Sequence, residues 1–271
     1  MFHLDHDSAG PPSSETELRD AILGTLRNEL TLDPRHKAVH VEPDLLKVDL
    51  TDARLATDVP PKRPRPAGQP VTGPDFAQLV VRGDPVRIDT ADVDLKLEAT
   101  GVGFDFDRDA DDGAWLLMLR SAIDGHVDVA IGKDDLRALI ETKVKQGADD
   151  HGVVIEKVEL DLAEHGPRGV RLTAQISGHK PLGFLKPAFA VGLHGNLLVD
   201  DELVASLSDL KLEGDGIIMT LLTGMLGDKL KELETKEFPL AAFPLGEVRL
   251  RDVSINAADP VRVSAKFGSA D

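Results

Sequence analysis

The sequence predicts an α+β fold: a long, curved, mostly antiparallel sheet wrapped around two or three helices. Three observations lead there. Short runs of alternating apolar and polar residues fill most of the chain, as in strands with one covered face. Stretches 14–30 and 133–146 carry apolar residues at helical spacing behind capping or acidic residues. A third stretch, Ile217–Leu233, is nearly uncharged over its first turns. Its wide apolar face comprises Ile217, Ile218, Leu221, Leu222, Met225, Leu226, Leu230 and Leu233. A membrane span needs about 20 apolar residues, roughly twice that front half. Such a helix needs an apolar partner other than the bilayer core.

Residues 1–13, rich in Gly, Pro, Ser and His, read as a disordered tail. Ser13 or Ser14 caps the first helix, with Glu17 completing a capping box. Its stripe is Leu18, Ala21, Ile22, Leu26 and Leu30, and Asp33-Pro34 ends it. Val39 and Val41, then Leu46, Val48 and Leu50, alternate as strands. Val59–Pro74 is proline-rich and basic, an extended loop that could also serve as a ligand for a protein partner. From Leu79 to Phe106 the chain is β, and the phase change near Thr90 predicts a bulge in one long strand. Ala114–Ile123 is a strand or a helical turn. Val127, Val129 and Ile131 alternate. Helix 133–146 follows with Leu136, Leu139, Ile140 and Val144 on one side, Asp134 and Asp135 at its start, and Lys143 and Lys145 at its end. Four single-faced strands come next, through residue 213, as in an antiparallel meander. Val248–Ile255 and Val261–Phe267 finish the sheet. The chain thus divides into two modules of the same helix–strand order, 14–124 and 125–271, read as one continuous domain. GDPVRIDTADVDL in the first echoes ADPVRVSAKF at the end.

Composition excludes several functions. A net charge of −17 argues against nucleic acid, whose phosphates are bound by Lys and Arg. The absence of cysteine excludes disulfides, thiolate metal sites and cysteine nucleophiles. One tryptophan and no tyrosine leave few platforms for stacking bases or sugars. The start lacks a basic and an apolar signal region, so a cytoplasmic location is expected if Met1 is native, and an envelope location if a leader was removed.

Chemical motifs are sparse. With Asp107 at position 1 of a calcium loop, Asp109 and Asp111 fall at positions 3 and 5. Position 6 is Asp112 where Gly is required, and position 12 is Met118 where Glu closes the site, so a solvated acidic turn is the leading expectation. The HLDH start offers two histidines to an adventitious metal. No HExxH, GxSxG, P-loop or GxGxxG opening a helix occurs, and no enzymatic role or cofactor is expected.

The VDVAIGKDDLRALI strand–turn–helix, the meander, the apolar helix after Leu212 and the closing FPLGEVRLRDVSINAADPVRVSA resemble the tubular lipid-binding (TULIP) superfamily, in particular small lipid-binding proteins of the bacterial envelope. The resemblance covers about Gly125–Phe267. It implies a curved sheet wrapped on helices around an apolar groove, with phospholipid or fatty acid as ligand. Leu136, Leu139, Ile140, Phe189, Leu193, Ile217, Ile218, Leu221, Leu222, Met225 and Leu226 would line that groove. Phe184 and Leu185 would form a tip for transient membrane contact. Two alternatives stand beside it: the same residues packed as a dry core in an interaction protein, and calcium binding by the acidic loop 105–112.

Overall fold

The computed structural model describes residues 1–55, 64–149, 152–181, 186–214, 231–240 and 248–269. The chain runs β1 (Phe2–Leu4), α1 (Glu15–Glu29), β2 (Leu30–Thr31), β3 (Val39–Glu42), β4 (Leu45–Asp49), β5 (Arg54–Leu55), β6 (Val71–Ile88), β7 (Ala91–Arg108), β8 (Trp115–Ser121), β9 (Asp124–Ile131), α2 (Lys133–Asp149), β10 (Val154–Glu164), β11 (Gly169–His179), β12 (Ala188–Val199), β13 (Val204–Gly214), β14 (Phe238–Pro239), β15 (Val248–Asn256) and β16 (Val261–Ser269). Residues 231–235 are helical as well. The fold is α+β and sheet-rich, with large, curved, unclosed sheets. Two compact units divide it: Met1–Ala130 with Ala242–Asp252 and Ser264–Asp271, and Ile131–Ala241 with Val253–Val263.

The larger sheet has the order β15-β16-β9-β7-β6-β4-β3, with β8 on β7 and β1 on β8. Its frame is the hairpin of β6 and β7, paired from Val71↔Phe106 to Ile88↔Ala91. Asp89 and Thr90 form the turn, with Asp89 at φ 52°. The phase change near Thr90 is therefore a hairpin turn rather than the expected bulge. A two-residue turn switches the buried parity just as one inserted residue does, so alternation alone does not separate them. Actual bulges lie at Thr72/Asp75 and Gly83/Val86.

Helix α1 lays Leu18, Ala21, Ile22 and Leu26 against Val39, Leu46, Phe76, Val102 and Phe104, all buried in one cluster. Phe76 and Phe104 meet edge to face at 6.1 Å. Ser14 is the N-cap, accepting the Glu17 N–H at 3.2 Å. The Glu17 carboxylate reaches one residue further back than a capping box requires, accepting the Ser13 N–H at 2.7 Å and its hydroxyl at 2.8 Å.

The N-terminal residues do not form the expected tail. β1 pairs with β8 through Phe2↔Leu117, His3↔Leu116 and Leu4↔Trp115, and Leu4 joins the core. Thr25 donates its hydroxyl to the His3 carbonyl at 2.8 Å, and the Trp115 indole donates to the Ser8 carbonyl at 3.1 Å. The Arg108 guanidinium stacks 3.7 Å from the Trp115 ring and donates to the Ala9 carbonyl at 2.6 Å. The Gly/Pro/Ser composition obscured a short alternation, Phe2-His3-Leu4, that supplies one buried side chain to an open strand edge.

The second unit holds the expected meander, β10-β11-β12-β13-β14. Helix α2 packs on β10. It continues to Asp149, so Lys143 and Lys145 lie a turn inside its end, where Lys145 pairs with Glu141 at 2.6 Å. Leu162, Val170, Ala257 and Val261 form its buried cluster, with Leu136, Leu160 and Leu172 against them.

Two outcomes test this packing. Leu116, fully buried beside β1, is expected to cost about 2–5 kcal/mol when changed to Ala, against less than about 0.5 kcal/mol for Val71→Ala at 47% exposure, by urea denaturation. The Glu17 carboxyl is held below its usual 4.5 by the Ser13 N–H and then by its hydroxyl. Its contribution is complete above that value and is lost as pH falls through the lowered folded value. Glu17→Gln is expected to flatten this part of the acid-side fall in melting temperature.

Candidate functional site

The meander of the second unit alternates so that one face is aliphatic in continuous cross-strand rows. Leu160, Ala174, Leu193 and Leu212 stand in one row, and Val158, Ile176 and Val191 in the next. Leu162, Leu172 and Gly195 make a third. Leu210 lies over Gly195, where a Cβ would fall 2.5 Å from the Leu210 Cδ2, so this glycine is required by close side-chain approach. Val158, Leu162, Val170, Ala174, Phe189 and Val191 are buried. Leu160, Leu172, Ile176, Leu193, Leu197, Leu207, Leu210 and Leu212 remain half-buried.

Helix α2 shows the same incompleteness. Leu136, Leu139, Ile140 and Val144 are all half-buried, and among its described residues no side chain is fully buried. Leu136 touches the cluster around Leu162. Of the residues expected to line a groove, Phe189 and Leu193 share the aliphatic face through their register with Gly178 and Ala174. Ile217, Ile218, Leu221, Leu222, Met225 and Leu226, like Phe184 and Leu185, lie outside the described residues. Leu233, expected on the same apolar stripe, is 38% exposed.

The opposite face of the meander is polar. Arg171, His194, Asn196, Asp209, Lys211 and Glu213 line a shallow depression of about 480 Å³. Thr173 Oγ1 lies 3.3 Å from His194 Nδ1, and His194 Nε2 is 3.8 Å from Glu213. The order hydroxyl–imidazole–carboxylate invites comparison with a nucleophile and its base, but the carboxylate stands beyond hydrogen-bond distance. The surrounding strand amides face one another in the β11–β12 ladder. The row is a cross-strand ladder of polar side chains.

In the first unit the acidic turn is built differently from a calcium loop. The buried Asp107 carboxylate accepts the N–H groups of Gly68 at 2.9 Å, Gln69 at 3.4 Å and Arg108 at 2.7 Å. Asp109, equally buried, accepts the Asp111 N–H at 2.8 Å and meets His3 Nε2 at 2.7 Å. Asp111 pairs with Arg65 at 3.3 Å. The groups whose ligand atoms all lie within 4.8 Å of one another are His3, Asp109 and Asp112, and Asp107 and Asp111 are not among them. The two carboxylates at positions 1 and 3 instead staple residues 65–69, the described end of the proline-rich segment, to the end of β7. The Pro66–Asp109 bridge and the Ala67 N–H bond to the Arg108 carbonyl at 2.8 Å complete the staple. His3 belongs to this group through the β1–β8 register, a partner 106 residues away that no local spacing reveals.

No protein-family model, curated protein or solved structure matches the chain. Among the described residues, no helix is long and apolar enough to cross a membrane.

Asp107→Ala removes a buried carboxylate that accepts three main-chain N–H groups and is expected to cost about 2–4 kcal/mol, since hydrogen bonds to a charged group are worth more than neutral ones. Urea unfolding followed by Trp115 fluorescence, from the same unit, reads it.

Proposed function

We propose that the second unit binds a lipid acyl chain, from phospholipid or fatty acid, without catalysis. The observation that supports it is the aliphatic face of the meander, contiguous through Leu160, Leu172, Leu193 and Leu212 yet only half-buried at each of them. Single exposed leucines are ordinary on a protein surface. A continuous sheet face of them, with α2 equally half-covered beside β10, marks a surface built to take up an apolar ligand or partner. The apolar stretch Ile217–Leu233, expected from its sequence to be a helix, belongs to this proposal as further lining. The tubular lipid-binding architecture, with Phe184 and Leu185 as a membrane-touching tip, belongs to this proposal.

Binding on this face needs no polar catalytic group. Each buried CH₂ contributes about 0.8 kcal/mol, which is about fourfold in Kd. The delipidated full chain is therefore expected to take up a fluorescent fatty acid, with affinity rising about fourfold per added methylene until the face is filled. Leu193→Asp is expected to weaken uptake at least about tenfold, because the charge would face hydrocarbon. Leu193→Trp, which obstructs the face without adding charge, is expected to act in the same direction. Lys211→Gln on the polar face leaves uptake unchanged. Failure of the folded chain to take up any acyl probe, in solution and by native mass spectrometry, rejects the reading.

A further inference from the structure

We propose that His3, Asp109 and Asp112 form a binding site for a divalent transition metal of the Zn²⁺ class, in the first unit and independent of the acyl-chain reading. Two separate pieces of chain bring the donors together. His3 is the middle residue of β1, placed opposite Leu116 by the β1–β8 ladder. Asp109 follows the end of β7, and Asp112 sits in the turn before β8. One ligand atom from each lies within 4.8 Å of the other two.

The donor set decides the metal. One imidazole nitrogen with two carboxylate oxygens suits Zn²⁺, Co²⁺ or Mn²⁺, whereas Ca²⁺ collects six to eight oxygens and does not favour imidazole. The carboxylates are already oriented. Asp109 Oδ1 takes the Asp111 N–H at 2.8 Å, which turns Oδ2 toward His3. Asp112 Oδ1 takes the Ala114 N–H at 3.1 Å. Backbone donors that fix a ligating carboxylate are the outer-shell support such sites use. Asp109 is fully enclosed, with its side chain at 0% exposure, while His3 and Asp112 are reachable from solvent. An ion would therefore enter from that side and take the place of the proton between His3 Nε2 and Asp109 Oδ2, leaving its remaining positions to water.

Arg108 donates to the Gly113 carbonyl at 2.7 Å and stacks on Trp115. Trp115, the single tryptophan, pairs with Leu4 next to His3 and so stands close enough to report the site.

The experiment titrates the full chain, stripped with chelator, with Zn²⁺, Co²⁺, Mn²⁺ and Ca²⁺ by calorimetry. Co²⁺ is also followed by its visible absorption and by quenching of Trp115. The expected result is one saturable Zn²⁺ or Co²⁺ site per chain, with Trp115 quenched at the same stoichiometry. Asp112→Asn, an exposed position, is expected to weaken it at least about tenfold, the loss that even outer-shell changes cause, while leaving the metal-free melting temperature unchanged. His3→Gln is expected to abolish the Co²⁺ nitrogen-ligated spectrum. Absence of saturable transition-metal binding overturns the proposal. So does binding that both substitutions leave intact, an adventitious ion only, or a Ca²⁺ preference indifferent to His3. None of these outcomes bears on acyl-chain uptake, which resides in the other unit.

Discussion

The register of β6 on β7 is the constraint from which the first unit follows. A strand buries every second side chain, so over a long hairpin a slip of one residue would exchange the whole core face for the solvent face. The turn at Asp89–Thr90 starts that register, which shifts by one residue at each of two bulges before the hairpin ends at Val71↔Phe106. Phe76, Ala99, Val102 and Phe104 then join the buried cluster that includes Leu18, Ile22 and Leu26 of α1, while Arg87 and Asp92, exposed, pair with one another at 2.9 Å. The bulges at Thr72/Asp75 and Gly83/Val86 bend the hairpin, as an extra unpaired residue increases local twist. Curvature of this kind lets one helix cover an extended sheet.

The second unit obeys the same alternation with a different result. Its strands are shorter, its aliphatic face is continuous, and α2 covers the β10 side without burying any of its own described side chains fully. In a closed core, Leu at these positions would approach complete burial, as Leu117 does at 6% exposure in the core cluster of the first unit. The contrast between Leu117 and Leu193 is the one on which the proposed function rests. That face is regular in register but only half-covered.

Legibility in the sequence divides along physical lines. Period two and period 3.6 report local geometry, so β3, β4, β9 and the strands β10 to β13 were readable, as was α1 down to its Ser14 cap. Direction reversal is not a periodic property, which is why a hairpin at Thr90 reads like a bulge. Composition misled at the N-terminus, because Gly, Pro and Ser beyond residue 7 outweighed three residues of alternation. The extent of α2 was underestimated since Gly147 follows Lys143 and Lys145 in the pattern of a helix end, yet the helix passes through it to Asp149. The aliphatic positions Leu193 and Phe189 were legible as inward-facing. The grouping of His3 with Asp109 was not, because a contact across 106 residues leaves no trace in local spacing.

That long-range contact raises a question of charge. The chain carries −17, so self-repulsion already opposes compaction, and burying further carboxylates adds a desolvation cost of several kcal/mol each. Asp107 and Asp109 are nevertheless among the most enclosed side chains in the molecule. Asp107 offsets its cost with backbone donors from both flanks of the staple, enough to explain its place as structure. Asp109 accepts the Asp111 N–H at 2.8 Å and the Arg65 N–H at 3.5 Å, and its Oδ2 also meets an imidazole. Two neighbouring carboxylates are thus held differently: Asp107 by the main chain, and Asp109 by main-chain N–H groups together with the imidazole that links it to β1. The N-terminal strand is held in the sheet by the His3–Asp109 contact as well as by Leu4, so its docking involves a carboxylate that water cannot reach.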